Sequence, residues 1–305
     1  MRKTIVGIGE LLWDMLPNGP QLGGAPANFA CHAAELGKEL LAVHLISAVG
    51  PDELGQCALE VLRTRGVLTD CVALSNRPTG EVRVTTDDAG HGNYRFVDDV
   101  AWDRLSWDTR LQQLASVADA VCFGTLAQRT TASAETIQRF VRSTTEKCLR
   151  VFDLNIRKPY FNDRTAIKSL RLANVVKIND DELCEIKRLL GIDGSERVLL
   201  AKILERFSLK LIALSRGAAG AILLNDCREY AEHRPPEIVI ADTIGAGDSH
   251  TAVLVIGLLF DLPLSKINIW ANQVAAYVAS KVGATPSLPP EVRQGLQDAI
   301  RNASH

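Results

Sequence analysis

The chain of 305 residues is 47% hydrophobic and 23% charged, which is typical of a globular protein with one large core, either as a single domain or with a small additional lobe. Its formal net charge of −2 provides no electrostatic attraction to nucleic acid or to a membrane surface, so neither is expected as a partner. The seven cysteines include no Cys-x-x-Cys pair, which argues against a disulfide framework and a zinc site and favours free thiols in a reducing compartment.

The N-terminal residues pass directly into an apolar strand pattern at 5–9, without the longer apolar segment and cleavage site of a signal peptide. The apolar run 253–260 is too short to span a bilayer. We therefore expect a cytoplasmic protein.

Short apolar runs alternate with segments of helical pattern along most of the chain. This alternation is typical of a parallel sheet whose strands are connected by crossover helices. The predicted core strands are 5–9, 42–46, 120–123, 150–154, 175–178, 211–214 and 221–224, and the predicted helices are 26–36, 54–65, 132–147 and 272–282. An α/β fold with a central, mostly parallel sheet is expected.

The segment 79–96 departs from this alternation. It has two arms with period-two character and a turn rich in Asp and Gly between them, which indicates a β-hairpin. Together with 11–16 and 72–74, it is expected to form a small second sheet within a single domain, drawn from about residues 11–22 and 72–100. The simpler alternative is a hairpin packed on the edge of the main sheet.

Candidate ligand-binding residues follow the first predicted strand. Asp14 has a carboxylate that can accept hydrogen bonds from hydroxyl groups, although turn formation is an alternative role. Gly23 and Gly24 remove side chains where a ligand would approach, and Asn28, one helical turn later, offers both a donor and acceptors. A plain helix start would need only one glycine or none, so ligand binding is favoured.

Polar residues also end two later strands. Asp153, Asn155 and Arg157 alternate along an extended segment and so point into the crevice at the carboxyl edge of the sheet. The permanently charged guanidinium of Arg157 suits a phosphate oxygen or the substrate. Asn179 precedes a helical pattern with acidic residues in its first turn, including Glu182, and is a plausible helix N-cap.

The segment 242–250 combines a glycine-rich corner with the start of an apolar helix. Gly245, Ala246 and Gly247 leave successive N–H groups unobstructed, as an anion cradle requires, and the helix adds its positive end. The helix dipole is expected to favour the ionised form of Asp248, which can accept a proton from a hydroxyl held at the cradle. A strand-to-helix corner with a capping Asp is the alternative.

The motif at 242–248 and the Gly-Gly-Ala-Pro-Ala-Asn motif at 23–28 together resemble the paired signature of the ribokinase-like (PfkB) carbohydrate kinases, over nearly the whole chain. The resemblance implies a three-layer α/β sandwich with a mostly parallel central sheet and a small β-sheet lid over the sugar, which often also forms a homodimer surface. One departure is His250, where the family usually has Phe.

The resemblance also implies roles for individual residues. Asp248 would be the general base, with the amides of Gly245, Ala246 and Gly247 as the anion hole and Arg157 on a phosphate or the substrate. The implied sugar-binding residues are Asp14, Gly23, Gly24, Asn28 and Arg95. The implied nucleotide-binding residues are Asn179, Glu182, Ser215, Gly217, Gly220, Thr243 and Asn272, although the Gly-x-x-Gly segment by itself indicates only a hairpin turn.

The implied cofactors are ATP, Mg²⁺ near Glu182 through water, and K⁺ or another monovalent cation near Asp242. The element Asp153-x-Asn155-x-Arg157 resembles the fructokinase and 2-keto-3-deoxygluconate kinase branch, and fructose is the first candidate substrate. The alternative substrate 2-keto-3-deoxygluconate is acidic and would need a cation near Asp14, for which Arg83, Arg95 and Arg157 are candidates. Ribose or a nucleoside is a third alternative. A silent sugar- or nucleotide-binding regulator is a further possibility, against which the retained Asp248 and its cradle argue.

Overall fold

The computed structural model describes residues 2–16, 19–86 and 92–303, in which strands and helices largely alternate. Residues 87–91, where the hairpin turn is predicted, and residues 17–18 of the predicted small sheet lie outside the described part. In chain order the elements are β1 (Lys3–Ile8), β2 (Leu12–Leu16), β3 (Gly19–Gly23), α1 (Ala25–Gly37), β4 (Leu41–Val49), α2 (Glu53–Thr64), β5 (Val72–Leu74), β6 (Gly80–Thr86), β7 (Gly92–Phe96), α3 (Thr109–Val117), β8 (Ala120–Phe123), α4 (Thr131–Ser143), β9 (Leu149–Asp153), α5 (Asp163–Leu172), β10 (Val175–Asn179), α6 (Asp180–Leu190), α7 (Glu196–Arg206), β11 (Leu211–Ser215), β12 (Ala221–Asn225), β13 (Tyr230–His233), α8 (Ala246–Leu259), α9 (Leu264–Ala279) and α10 (Pro290–Ala303).

The main sheet has the strand order β13-β12-β11-β10-β9-β8-β1-β4-β5. Its strands are parallel from β11 to β5, whereas β12 and β13 are antiparallel. The parallel strands are continuous apolar runs because helices cover both faces, and β8, for example, is buried throughout. The predicted α/β fold and all the predicted core strands are confirmed.

Two apolar clusters lie on opposite faces of this sheet, since neighbouring residues of one strand contribute to different clusters. Helices α3 to α7 pack on one face through residues such as Phe140 and Ile186. Helices α1, α2, α8, α9 and α10 pack on the other through residues such as Leu62 and Val253. The three-layer sandwich implied by the sequence resemblance is therefore confirmed.

A second, small sheet has the order β3-β2-β6-β7. The hairpin predicted at 79–96 forms its β6 and β7, which pair with β2 and not with an edge of the main sheet. One part of the prediction is wrong: Val72–Leu74 is β5, which pairs with β4 in the main sheet. The preceding chain already runs beside β4, where His44 bridges to Leu68, so β5 continues along the same edge.

From residue 252 onward helix α8 is apolar on every side, and it packs between α1 and α9. This packing explains the long apolar run of the sequence and brings the first turn of α8 beside the first turn of α1. Within the part of the chain that the structure describes, no helix is both long and apolar enough to cross a membrane.

Candidate active site

Two cavities meet beside the start of α8. The first, here called the polar cavity, has a volume of about 730 Å³ and lies between the carboxyl ends of the main-sheet strands and the small sheet. The second, the apolar cavity, has a volume of about 480 Å³. Ser215, Thr243 and Gly247 line both, so the two cavities share a wall at the glycine-rich corner. Two ligands bound in them would meet at this corner.

Most predicted site residues lie in these cavities. The polar cavity is lined by Asp14, Gly24, Asn28, Asn155, Arg157, Asn179, Ser215, Thr243, Gly245, Gly247 and Asp248. The apolar cavity is lined by Ser215, Gly217, Gly220, Thr243, Ala246, Gly247 and Asn272. Of the residues expected to bind nucleotide, Gly217, Gly220 and Asn272 line only the apolar cavity, whereas Asn179 lines the polar cavity and Ser215 and Thr243 line both. The roles of these residues stay predictions.

The corner itself depends on Gly245, which caps α8 with φ 78° in the left-handed region. A β-carbon on Gly245 would overlap the backbone carbonyl of Ala284, so glycine is required for both conformation and space. The N–H groups of the first turn of α8 have no intrahelical acceptors. They therefore form a positive end that faces the junction of the two cavities.

Asp248 lies in this first turn and is 9% exposed. Asn28 Nδ2 donates a hydrogen bond of 2.9 Å to its Oδ2. Burial raises the pKa of Asp248 to about 6, and nearby Asp153 adds to this shift, while Asn28, Lys177 and Arg157 oppose it. The direction is opposite to the one expected from the helix dipole, because desolvation of the carboxylate outweighs the dipole. A carboxyl group with this pKa can accept a proton near neutral pH.

Asp14 lies on β2, and its pKa is raised to about 6 by burial. Gly23 lies on the neighbouring strand β3, opposite Leu12, and a β-carbon on it would overlap the Asp14 carboxylate. Glu10, which sequence analysis missed, lines the same cavity and is 4% exposed. Its Oε1 accepts a hydrogen bond of 3.3 Å from Ala25 N, its Oε2 has no partner among the described residues, and burial raises its pKa to about 7. Its place at the carboxyl end of β1 is the signal that would have identified it.

The structure corrects the prediction for Arg95. Its neighbour Phe96 lines the polar cavity, and successive residues of a strand face opposite sides, so Arg95 is exposed on the far face of β7. Arg83 is paired with Arg95 in register and is exposed on the same face of the small sheet. Arg157 does line the cavity, at an exposed position near its mouth, and its Nη1 donates to the carbonyl of Ile156 at 3.1 Å.

Asn179 and Glu182 form a capping box at the start of α6. Asn179 Oδ1 accepts from Glu182 N at 2.8 Å, and Glu182 Oε2 accepts from Asn179 N at 2.9 Å. Glu182 Oε1 accepts from Ile156 N at 2.9 Å, and the side chain is buried outside both cavities. Burial raises the pKa of Glu182. The helix-cap interpretation of Asn179 is confirmed, and Asn179 also faces the polar cavity.

No cluster of three or more His, Cys, Asp or Glu side chains suited to a metal ion occurs among the described residues. Asn179 lines the polar cavity and would be available to a magnesium ion held chiefly by phosphate oxygens and water, and Glu182 holds Asn179 in place. The carboxylate of Asp242 accepts from Ile244 N at 3.0 Å and from Gly283 N at 3.1 Å. It thus closes the loop before α8, and its role toward a monovalent cation stays a prediction.

The Gly-x-x-Gly segment is the turn between antiparallel β11 and β12, as the hairpin interpretation predicted, and it also lines the apolar cavity. Gly220 has φ 88°, and a β-carbon there would overlap the carbonyl of His233. On the opposite wall, Asn272 Nδ2 donates to Asn268 O at 2.8 Å. These contacts fix two sides of a mostly apolar slot that suits a flat ring system.

A second feature that sequence analysis missed is the buried ion pair of Lys177 and Asp153. Their closest atoms, Nζ and Oδ1, are 3.1 Å apart, and Lys177 lines the polar cavity. A charged residue within the otherwise apolar run 175–178 is the signal that would have identified it.

His250 lines the apolar cavity and is 3% exposed, and neither of its ring nitrogens has a hydrogen-bond partner among the described residues. Burial, with a contribution from Lys177, lowers the pKa of His250 to about 3, so the ring is neutral. We expect His250→Phe to raise the free energy of unfolding by about 1–2 kcal/mol, because it removes unpaired buried polar atoms.

Urea denaturation of both proteins measures this change. His32→Phe is the matched control: it is equally buried, but its Nε2 lies 3.0 Å from the carbonyl of Ala284, so the same substitution should be destabilising. A loss of stability in His250→Phe would contradict the assignment of unpaired nitrogens.

Comparison with known proteins adds independent information. A family model described as "pfkB family carbohydrate kinase" matches residues 20–291. A probable fructokinase of Arabidopsis thaliana is 28% identical, over 93% of this chain and 94% of the relative. A fructokinase of Salmonella typhimurium is 29% identical, over 85% of each chain.

Two solved structures of sugar kinases have a similar fold. A sugar kinase of Pyrococcus horikoshii in complex with ATP superposes with a TM-score of 0.80 at 27% identity, covering 98% of this chain and 99% of that one. A fructokinase from Xylella fastidiosa with bound ATP has a TM-score of 0.84 at 22% identity, covering 100% of both chains, and at that identity indicates a shared fold.

Proposed function

Because the chain belongs to the pfkB family of carbohydrate kinases, we propose that it transfers the γ-phosphoryl group of ATP to a hydroxyl group of a small neutral sugar, with fructose as the first candidate. The observation that carries this proposal is the meeting of the polar and apolar cavities at Gly247, beside the N-terminus of α8. A sugar in the first cavity and a nucleoside in the second would place the phosphoryl group at the helix N-terminus.

Asp248 is the proposed general base. Its carboxylate accepts the hydroxyl proton while Asn28, bonded to its Oδ2, holds its orientation. Asp14 and Asn28 orient the sugar, and the amides of Gly245, Ala246 and Gly247 hold the transferring group. A magnesium ion bound with the nucleotide would supply positive charge at the phosphates, and Asn179 would be the residue available to hold it. Since transition states of phosphoryl transfer are loose, positioning and charge stabilisation contribute more than the base.

The charges in the polar cavity favour a neutral sugar. Glu10, Asp14 and Asp248 all line it, and Arg157 is close enough to lower the pKa of each. Arg157 is therefore already opposed by several carboxyl groups, and Arg83 and Arg95 face away. An acidic sugar such as 2-keto-3-deoxygluconate would meet these carboxyl groups, and Lys177, a buried cation that lines the cavity, is already paired with Asp153. This favours fructose over its closest rival.

The small sheet is proposed to act as a lid within a single domain. Its residues Leu12, Val82 and Phe96 line the polar cavity on the side opposite the main sheet. Closure would exclude water from the transferring phosphoryl group. A homodimer through the small sheet stays a prediction, and sedimentation velocity tests it.

We expect kcat/KM for the sugar to fall about tenfold per pH unit below about pH 6. The base must be ionised, and the pKa of Asp248 is raised to about 6, so acid protonates it within this range. Initial rates between about pH 5 and about pH 8 measure this decline of kcat/KM at low pH. Asp14→Asn is the control, because the same decline at low pH should remain when another carboxyl group of the polar cavity is removed. A rate independent of pH throughout this range would contradict the proposed base.

The reaction itself is tested by ADP release from Mg-ATP with fructose, 2-keto-3-deoxygluconate, ribose, adenosine and no sugar. Release that depends on fructose is expected. Release with a different sugar would correct the substrate and keep the reaction. An absence of release with every acceptor would favour a silent binding protein.

A further inference from the structure

The carboxyl ends of β9 and β10 carry a buried pair of opposite charges. Lys177 and Asp153 are directly opposite in the parallel register, and their side chains are 8% and 7% exposed. Thr251, on α8, donates a hydrogen bond of 2.7 Å to Asp153 Oδ2, so both carboxylate oxygens are engaged. The lysine is therefore held by a counter-charge that is itself fixed to the helix of the glycine-rich corner.

The ammonium group reaches that corner. A β-carbon placed on Gly247 would lie 3.0 Å from Lys177 Nζ, so the absence of a side chain at Gly247 leaves this approach open. An ammonium has three N–H donors. Among the described residues, Asp153 alone accepts a hydrogen bond from Nζ, and Lys177 lines the polar cavity. Donors therefore remain available to an anion at the junction of the cavities.

The positive charge of Lys177 suits the binding of an anion. Burial lowers the pKa of Lys177, but Asp153, Glu182 and Asp248 outweigh that effect, and the pKa lies above its ordinary value. The lysine is thus a cation at neutral pH beside the N-terminus of α8. A group held at the first turn of α8 would have the helix amides on one side and the ammonium on another.

We propose that Lys177 is a catalytic residue that donates hydrogen bonds to a non-bridging oxygen of the phosphoryl group during transfer, and that Asp153 and Thr251 position it. In this step the sugar oxygen forms a bond to the γ-phosphorus, and the bond to the β–γ bridging oxygen breaks. Its electron pair leaves on ADP, and the hydroxyl proton passes to Asp248. Lys177 keeps its protons and offsets the charge of the equatorial oxygens.

A purely structural role makes a different prediction. Buried ion pairs contribute little net stability, whereas removal of one partner leaves a costly unpaired charge. Lys177→Met alone is therefore expected to be less stable, and the double variant Lys177→Met/Asp153→Asn, with both charges removed, should regain much of that stability. If the pair served only the fold, the double variant would regain activity as well.

The inference rests on the proposed function, and two measurements separate their failures. We expect the double variant to lose about 100-fold in kcat, with the sugar KM within about threefold of the parent value. By calorimetry, its affinity for the non-hydrolysable analogue AMP-PNP should fall about tenfold, while its affinity for ADP changes less than about twofold. Lys187→Met, which removes an exposed lysine paired with Asp193, is the control and should change neither.

Each outcome decides the matter. Near-parent turnover by the double variant would overturn the assignment, as would equal losses of affinity for the two nucleotides. Should the parent protein phosphorylate no sugar, the proposed function fails, and the comparison of AMP-PNP with ADP still tests whether Lys177 binds the γ-phosphoryl group.

Discussion

Asp248→Asn lowers kcat about a thousand-fold and leaves the KM for ATP within about twofold of the parent value, if Asp248 is the general base. The amide cannot accept the hydroxyl proton, yet it has the size of the carboxyl group and its oxygen can still accept the bond from Asn28. Steady-state kinetics with saturating sugar measures the effect. Asp261→Asn, an exposed carboxyl group just beyond the other end of α8, is the matched control and should retain full turnover.

The same substitution is expected to stabilise the protein. The pKa of Asp248 is raised from 3.8 to about 6, so the folded state disfavours the carboxylate, and stability falls as pH rises through about 6. At about pH 8 the neutral amide avoids this penalty and raises the free energy of unfolding by about 1–3 kcal/mol. An active Asp248→Asn variant, or one less stable than the parent at that pH, would contradict the assignment of Asp248 as a buried catalytic base with a raised pKa.

Gly245→Ala is expected to reduce the free energy of unfolding by about 3–5 kcal/mol, combining left-handed strain with overpacking. The residue has φ 78°, and its new β-carbon would overlap the carbonyl of Ala284. Relief of that overlap must move the first turn of α8, so kcat should fall about 100-fold or more. Thermal or urea unfolding and steady-state kinetics measure the two effects.

Gly191→Ala separates the two causes. Gly191 ends α6 with φ 62°, and a β-carbon there would meet no atom within 4 Å. Alanine at this position would therefore have a similar conformational strain without the overlap. We expect Gly191→Ala to lower the free energy of unfolding by about 1 kcal/mol with no loss of activity. Equal effects at the two glycines would show that the contact with Ala284 is unimportant.

Much of the fold was predictable because parallel strands and their crossover helices have different periodicities, and each strand is a separate apolar run. The corner at 242–248 was predictable because Gly245 and Asp248 have chemistry that few other roles require. The pairing of β5 was not, since three residues with weak alternation do not specify a partner strand. The face of β7 on which Arg95 lies likewise depends on the register of that strand, which the sequence pattern leaves open.

The electrostatic features were harder to predict. Lys177 and Asp153 are separated by 24 positions, and only the parallel register of β9 and β10 makes them partners. The raised pKa of Asp248 follows from burial by α1 and from Asp153, neither of which is adjacent in the chain. Glu10 was missed because its neighbours in sequence are apolar and its role depends on the cavity around it.

The packing of α1 against α8 has a consequence for biosynthesis. Helix α1 is buried on nearly all sides, and much of its cover is a helix that begins at Ala246. A ribosome adding about 5–20 residues per second needs about 10–40 s to make the intervening chain. During that interval α1 can pack only on earlier elements such as β1 and β4, and the apolar face that α8 covers stays exposed. Chaperone binding early in translation, and aggregation of chains terminated before α8, are the expected results.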